Sequence, residues 1–132
     1  MSLTMTLEKS RTTAVFQFLT EKAIEGQTTT YEEIALATGL PASGNALGAT
    51  LSPILTRIFH WCVSHGQPHL TSIVGRKSGK DKGIPGAGYW ALLAEYQAFA
   101  EATDDPELLQ NFKITRSRND QLAVFDFYSE IR

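Results

Sequence analysis

Apolar residues recur along this chain mostly three and four positions apart, the period of an amphipathic helix. In TLEKSRTTAVFQFLTEKAIEG they fall at Val15, Phe16, Phe18, Leu19 and Ala23, and Gly26 supplies a stop, which predicts a first helix. In TTTYEEIALATGLP, Thr30 is placed as an N-cap with Glu33 three residues on, the spacing of a capping box. Tyr31, Ile34, Ala35 and Thr38 continue that short helix and Gly39 ends it. PASGNALGATL predicts another short helix with Ala46, Leu47 and Leu51 inward, and Gly44 and Gly48 keep one side narrow enough for a second backbone to approach. Two short helices around a glycine-containing turn form a helix-turn-helix arrangement. SPILTRIFHWCVSHG predicts a separate, stronger helix, capped by Ser52 with Pro53 in its first turn. Ile54, Leu55, Ile58, Phe59, Trp61 and Cys62 give it a wide apolar face, and Gly66 and Pro68 end it.

The period then changes. HLTSIVGRK alternates Leu70, Ser72 and Val74 with Thr71, Ile73 and Gly75, which predicts a strand. A glycine- and lysine-rich loop follows, and residues 88–90 are either a second strand or the start of a helix in AGYWALLAEYQAFAEA. DDPELLQNF predicts a short helix opened by Asp and Pro, and NDQLAVFDFYSEI a last one with Leu122, Phe125 and Tyr128 or Ile131 inward. The expected fold class is α+β, mostly α: a winged helix-turn-helix-like core with a small β-hairpin and additional C-terminal helices. The expected organisation is a single domain over 1–132, with the winged-helix core over 7–90 and a C-terminal helical extension over 91–132.

Composition changes this picture little. A chain of 132 residues supports one core. No apolar run is long enough to cross a membrane, the first ten residues lack the pattern of a secretory signal, and a single cysteine fits a reducing compartment. A cytoplasmic protein is therefore expected. Charge matters more. The net charge is −2, yet residues 34–80 contain no carboxylate. Between 34 and 94, Arg57, Arg76, Lys77, Lys80 and Lys82 stand against Asp81 alone. Such a local positive field can steer a polyanion, although uneven charge is also ordinary for a solvated surface.

The loop SIVGRKSGKDKGIPGAG raises the question of phosphate. A nucleotide cradle of the Walker type needs four residues between its first glycine and Gly-Lys, then Ser or Thr. Here three residues separate Gly75 from Gly79, and Asp81 follows Lys80, so the loop is too tight and lacks the metal-binding hydroxyl. As a wing, Arg76, Lys77, Lys80 and Lys82 would reach phosphate oxygens on either side of a groove without reading sequence. The alternative is a solvated hairpin tip. On the second short helix, Ser43, Asn45 and Thr50 are exposed polar candidates for base edges, though Ser43 and Asn45 also suit a plain helix start. His60, His65 and His69 lie near Cys62, but His60 and Cys62 diverge on a helix and the other two lie beyond it, so no metal site is expected. Cys62 falls on an apolar stripe, where a thiol is harder to ionise and acts as a core residue. The paired acids Glu32–Glu33 and Asp104–Asp105 suit helix starts rather than hydrolysis. No catalytic residue and no cofactor is expected.

One stretch resembles a known family. TTTYEEIALATGLPASGNALGATL, residues 28–51, is similar to the winged helix-turn-helix domain of the alkylguanine-DNA alkyltransferases and alkyltransferase-like proteins. The matching residues are Tyr31, Glu33, Ile34, Ala35, Gly39, Pro41, Ala46, Leu47 and Gly48, in a stretch that covers roughly a fifth of the chain. The family's arginine finger, which fills the gap left by a flipped base, falls on Asn45 here, and its catalytic PCHR has no equivalent. What the resemblance implies is the DNA-binding shape alone: a recognition helix and a wing. The expected function is thus a non-enzymatic DNA-binding protein, a regulator or a binder of damaged or distorted duplex. It would contact double-stranded DNA through Tyr31, Ser43, Asn45, Thr50, Arg76, Lys77, Lys80 and Lys82. A protein-interaction module of the same fold is the alternative, with AVFDFYSEI, Tyr89 and Trp90 as a homodimer seam.

Overall fold

The computed structural model describes residues 3–96 and 105–130, and it is mostly helical. Helix α1 spans Leu3–Glu25 and buries Val15, Leu19 and Ala23. Helix α2, Tyr31–Thr38, begins with the expected capping box: the Glu33 N–H donates to Thr30 Oγ1 at 3.3 Å, and the Thr30 N–H donates to Glu33 Oε2 at 3.2 Å. The same Oε2 accepts from the Thr29 hydroxyl at 2.7 Å, so one carboxylate ties the helix to the buried residue before it. Gly39 ends the helix in the left-handed region at φ 75°.

Helix α3 differs from expectation. It runs unbroken from Gly44 to Ser64, joining the two helices expected over 41–51 and 52–65, with Pro53 inside. Pro53 removes the N–H that would reach the Ala49 carbonyl and costs about 3 kcal/mol or more in a helix interior. The helix tolerates it because Pro53 and Ala49 both face solvent, where water can take the freed carbonyl. On the opposite face Leu51, Ile54, Leu55, Ile58 and Cys62 form one buried stripe that only a continuous helix keeps in register. Ala46, expected inward, is exposed, while Leu47 packs partly buried against the core.

The segment read as a strand is a buried 3-10 turn over Leu70–Ile73, closed by Ser72 N–H to His69 O at 2.9 Å and Val74 N–H to Thr71 O at 3.1 Å. Both sets of its alternating residues are buried, because α1, α3 and α5 (Pro106–Ser129) all pack against it. Extended backbone begins only at Val74, which pairs with Thr29 through Thr29 N–H to Ile73 O at 2.8 Å and Gly75 N–H to Thr29 O at 2.9 Å. Among the described residues, Thr29–Val74 and Arg76–Lys82 are isolated bridges rather than strands.

Helix α4, Ala87–Tyr96, starts where a second strand was the alternative, and its continuation to residue 102 lies outside the described residues. Helix α5 is likewise one element where two were expected. Asp105 caps it, accepting from the N–H of Glu107 at 2.9 Å, and Pro106 sits in its first turn. No glycine or proline interrupts the stretch between the two expected pieces, and Arg116 pairs with Asp120 one turn on at 3.0 Å. The buried residues of α5 are Ser117, Val124 and Tyr128, with Phe125 partly buried. Leu122, expected inward, is 57% exposed, and Ile131 lies outside the described residues.

Two apolar clusters meet on α3. The larger joins Val15, Leu19, Ile34, Leu51, Ile58 and Ile73 with Val124 and Tyr128, so the region expected as a C-terminal extension contributes to the same core as the N-terminal helices. The smaller joins Phe59 to Ile84, Tyr89, Trp90 and Leu93. Tyr89 and Trp90 are buried there and do not form the exposed seam considered for a homodimer. Among the described residues no helix is long and apolar enough to cross a membrane.

Replacing Pro53 with Ala restores an N–H opposite the Ala49 carbonyl at an exposed site. The variant is expected to gain on the order of 2 kcal/mol in urea unfolding, after allowance for the freer unfolded chain. An unchanged or lowered midpoint would show that the proline is built into the helix without strain.

Candidate nucleic-acid interface

The cationic loop leaves the buried 3-10 turn through Val74 and Gly75 and returns at Gly83 and Ile84. Its two ends touch backbone to backbone: a Cβ on Gly75 would lie 2.6 Å from the Gly83 carbonyl carbon, so no larger residue fits. Arg76 N–H to Ile84 O at 3.1 Å and Gly83 N–H to Arg76 O at 2.9 Å lock this neck. Gly79 and Gly83 turn the chain at φ 85° and 82°.

Helix α5 braces the loop from one side. Gln121 Nε2 donates to Gly83 O at 3.1 Å and to Ser72 O at 3.0 Å, and Gln110 Nε2 donates to Asp81 Oδ1 at 2.8 Å. Neither glutamine was expected to matter. Both lie on the stripe 110, 114, 117, 121, which is visible only when α5 is taken as one helix rather than two.

The loop's cations divide between its flanks. Arg76 and Lys77 line a cleft of about 470 Å³ together with Tyr31 and Glu32 of α2 and Leu47 of α3. Lys77 Nζ lies 3.3 Å from Glu32 Oε2, an exposed pair worth little to stability. Lys80 and Lys82 line a different cleft, against α5. Tyr31 is partly buried at the mouth of the first cleft. Ser43 occupies the N-cap of α3, but its hydroxyl makes no capping hydrogen bond, and both it and Asn45 are exposed. Thr50 is partly exposed beside the buried stripe. Tyr31, Arg76 and Lys77 thus meet at one cleft, while Lys80 and Lys82 stand apart from it.

The cysteine, the three histidines and Tyr89 each make contacts within the fold. Cys62 is buried, and burial pushes its thiol pKa up. His60 contacts the Tyr96 hydroxyl, and His65 stacks on Trp61 with ring centroids 4.1 Å apart. His69 stacks on Phe59 at 4.9 Å, with its Nδ1 buried and unpartnered. Among the described residues no three His, Cys, Asp or Glu side chains converge as a metal site. The Tyr89 hydroxyl donates to Asp120 Oδ2 at 2.5 Å, and Arg116 Nε approaches the same carboxylate at 3.0 Å. Burial first, then Asp120, pushes the Tyr89 pKa up, so it stays a donor. No family model, curated protein or solved structure matches the chain.

Burial lowers the pKa of His69 below its ordinary 6.5; Asp120 opposes the shift and Arg116 adds to it. As pH falls below 6.5 the unfolded chain takes up a proton before the folded one, so stability is full above that value and declines below it. His69→Gln is expected to lessen the fall in Tm between about pH 7.5 and about pH 5.5 relative to the wild type. Equal falls in the two proteins would contradict this.

Proposed function

We propose that the protein is a non-enzymatic, cytoplasmic binder of double-stranded DNA, in which α2 and α3 act as a helix-turn-helix and the loop 75–83 as a wing. The observation that carries this reading is the shared cleft: Tyr31, Leu47, Arg76 and Lys77 line it from three separate elements. Its mouth is cationic although the protein as a whole is acidic. In this reading the exposed start of α3 presents Ser43 and Asn45 to base edges, and the loop grips the backbone. Small exposed side chains at Ala46, Ala49 and Ser52 allow the helix to lie close to a groove. The one thiol is buried and its pKa is raised, which speaks against Cys62 as a nucleophile.

Titration of a labelled duplex across a salt series tests the reading. With Lys77 partly held by Glu32, the four loop cations contribute between about −2.7 and about −3.6 to the log–log slope of affinity against salt. Reversing Arg76, Lys77, Lys80 and Lys82 to Glu should abolish binding; a wild-type protein that leaves the duplex free at about 50 mM salt would refute the proposal. Glu32→Gln removes the carboxylate that competes with phosphate for Lys77. It is expected to tighten binding and to steepen the slope by up to about 0.9. Unchanged affinity would place Lys77 outside the contact.

A further inference from the structure

Two of the four loop cations, Lys80 and Lys82, lie on the far flank of the loop, outside the cleft that Tyr31, Arg76 and Lys77 share. Lys80 and Lys82 line a cleft of about 370 Å³ whose other wall is α5, with Arg118 on that helix and Thr28 at the edge. No carboxylate is among the described residues lining this cleft. The only carboxylate in the loop, Asp81, is turned to Gln110 instead. Among the described residues Lys80, Lys82 and Arg118 make no ion pair, in contrast to Lys77 and Arg116. Three like charges around one cleft repel one another, and an anion seated there removes that repulsion.

We propose that α5 completes a second phosphate-binding cleft, formed by Lys80, Lys82 and Arg118, and that it takes the sugar-phosphate backbone of DNA. This rests on the DNA-binding reading above and extends the contact surface to the C-terminal helix. The two clefts flank a loop whose neck is fixed by the Gly75–Gly83 approach and by Gln121, so the separation of the two cation sets is set by the fold. Charges held apart on either side of a rigid projection suit a polyanion with repeated phosphates, one strand on each flank of the groove that the loop enters. Arg118 is exposed, and its guanidinium can grip a phosphate in bidentate fashion.

The experiment measures duplex affinity across a salt series for the wild type, Arg118→Gln, Lys77→Gln and Arg57→Gln, the last a cation in the groove between α1 and α3. Arg118→Gln should make the slope shallower by about 0.9, so that the wild-type advantage shrinks about 3.5-fold between about 50 and about 200 mM salt. Arg57→Gln should leave the slope unchanged. If Arg118→Gln matches the wild type while Lys77→Gln is shallower, the second cleft is refuted and the DNA-binding reading stands. If Arg57→Gln has the same effect as Arg118→Gln, the effect is one of net charge and the cleft is again refuted. If the wild type does not bind, both readings fail together.

Discussion

The side-chain amide of Gln121 joins the buried centre of the molecule to the exposed cationic loop. By donating to the carbonyls of Ser72 and Gly83, it fixes the loop to the 3-10 turn that α1, α3 and α5 enclose. The direction of every cation on the loop depends on that junction. With the backbone held at Gly75 and Gly83, the ordering that a bound anion would still require is that of the lysine and arginine side chains. A preorganised backbone lowers the entropic cost of binding.

Charge on this protein is arranged by sign as well as by number. A net charge of −2 gives weak long-range repulsion of DNA, and at physiological salt that field fades within about 8 Å. Over such a distance the nearest groups decide. Around the loop these are cations, with two acids accounted for individually: Asp81 by Gln110 and Glu32 by Lys77. The acids of α1 and of the α5 start lie elsewhere along the chain. The protein can thus remain acidic overall while presenting a positive projection.

Features that depend on neighbouring residues were legible in the sequence. The capping box of α2, its glycine stop, the apolar face of α3 and the burial of Cys62 all follow from residues within a few positions of one another. Features that depend on distant partners were not. Pro53 and Ser52 read as a helix start because local rules favour it, yet the stripe from Leu51 to Cys62 overrides them through burial against other helices. The alternation of residues 70–75 suggested a strand, but residues 70–73 form a 3-10 turn enclosed on both sides. At the candidate site, the cations and Tyr31 could be named from composition and motif. The braces Gln110 and Gln121 emerge only when α5 is placed beside the loop, and the partner Glu32 only when α2 is.

The missing N–H at Pro53 also divides α3 mechanically. The turns before it hold the exposed Ser43–Asn45 end and are anchored chiefly by Leu47 and Leu51; those after it carry Ile54, Leu55, Ile58, Phe59 and Cys62 into both apolar clusters. A helix with one rung removed bends most easily there. In the proposed DNA complex the leading segment would tilt to follow the curvature of a duplex while the trailing segment stays seated, so that adjusting the fit would cost less than loosening the core.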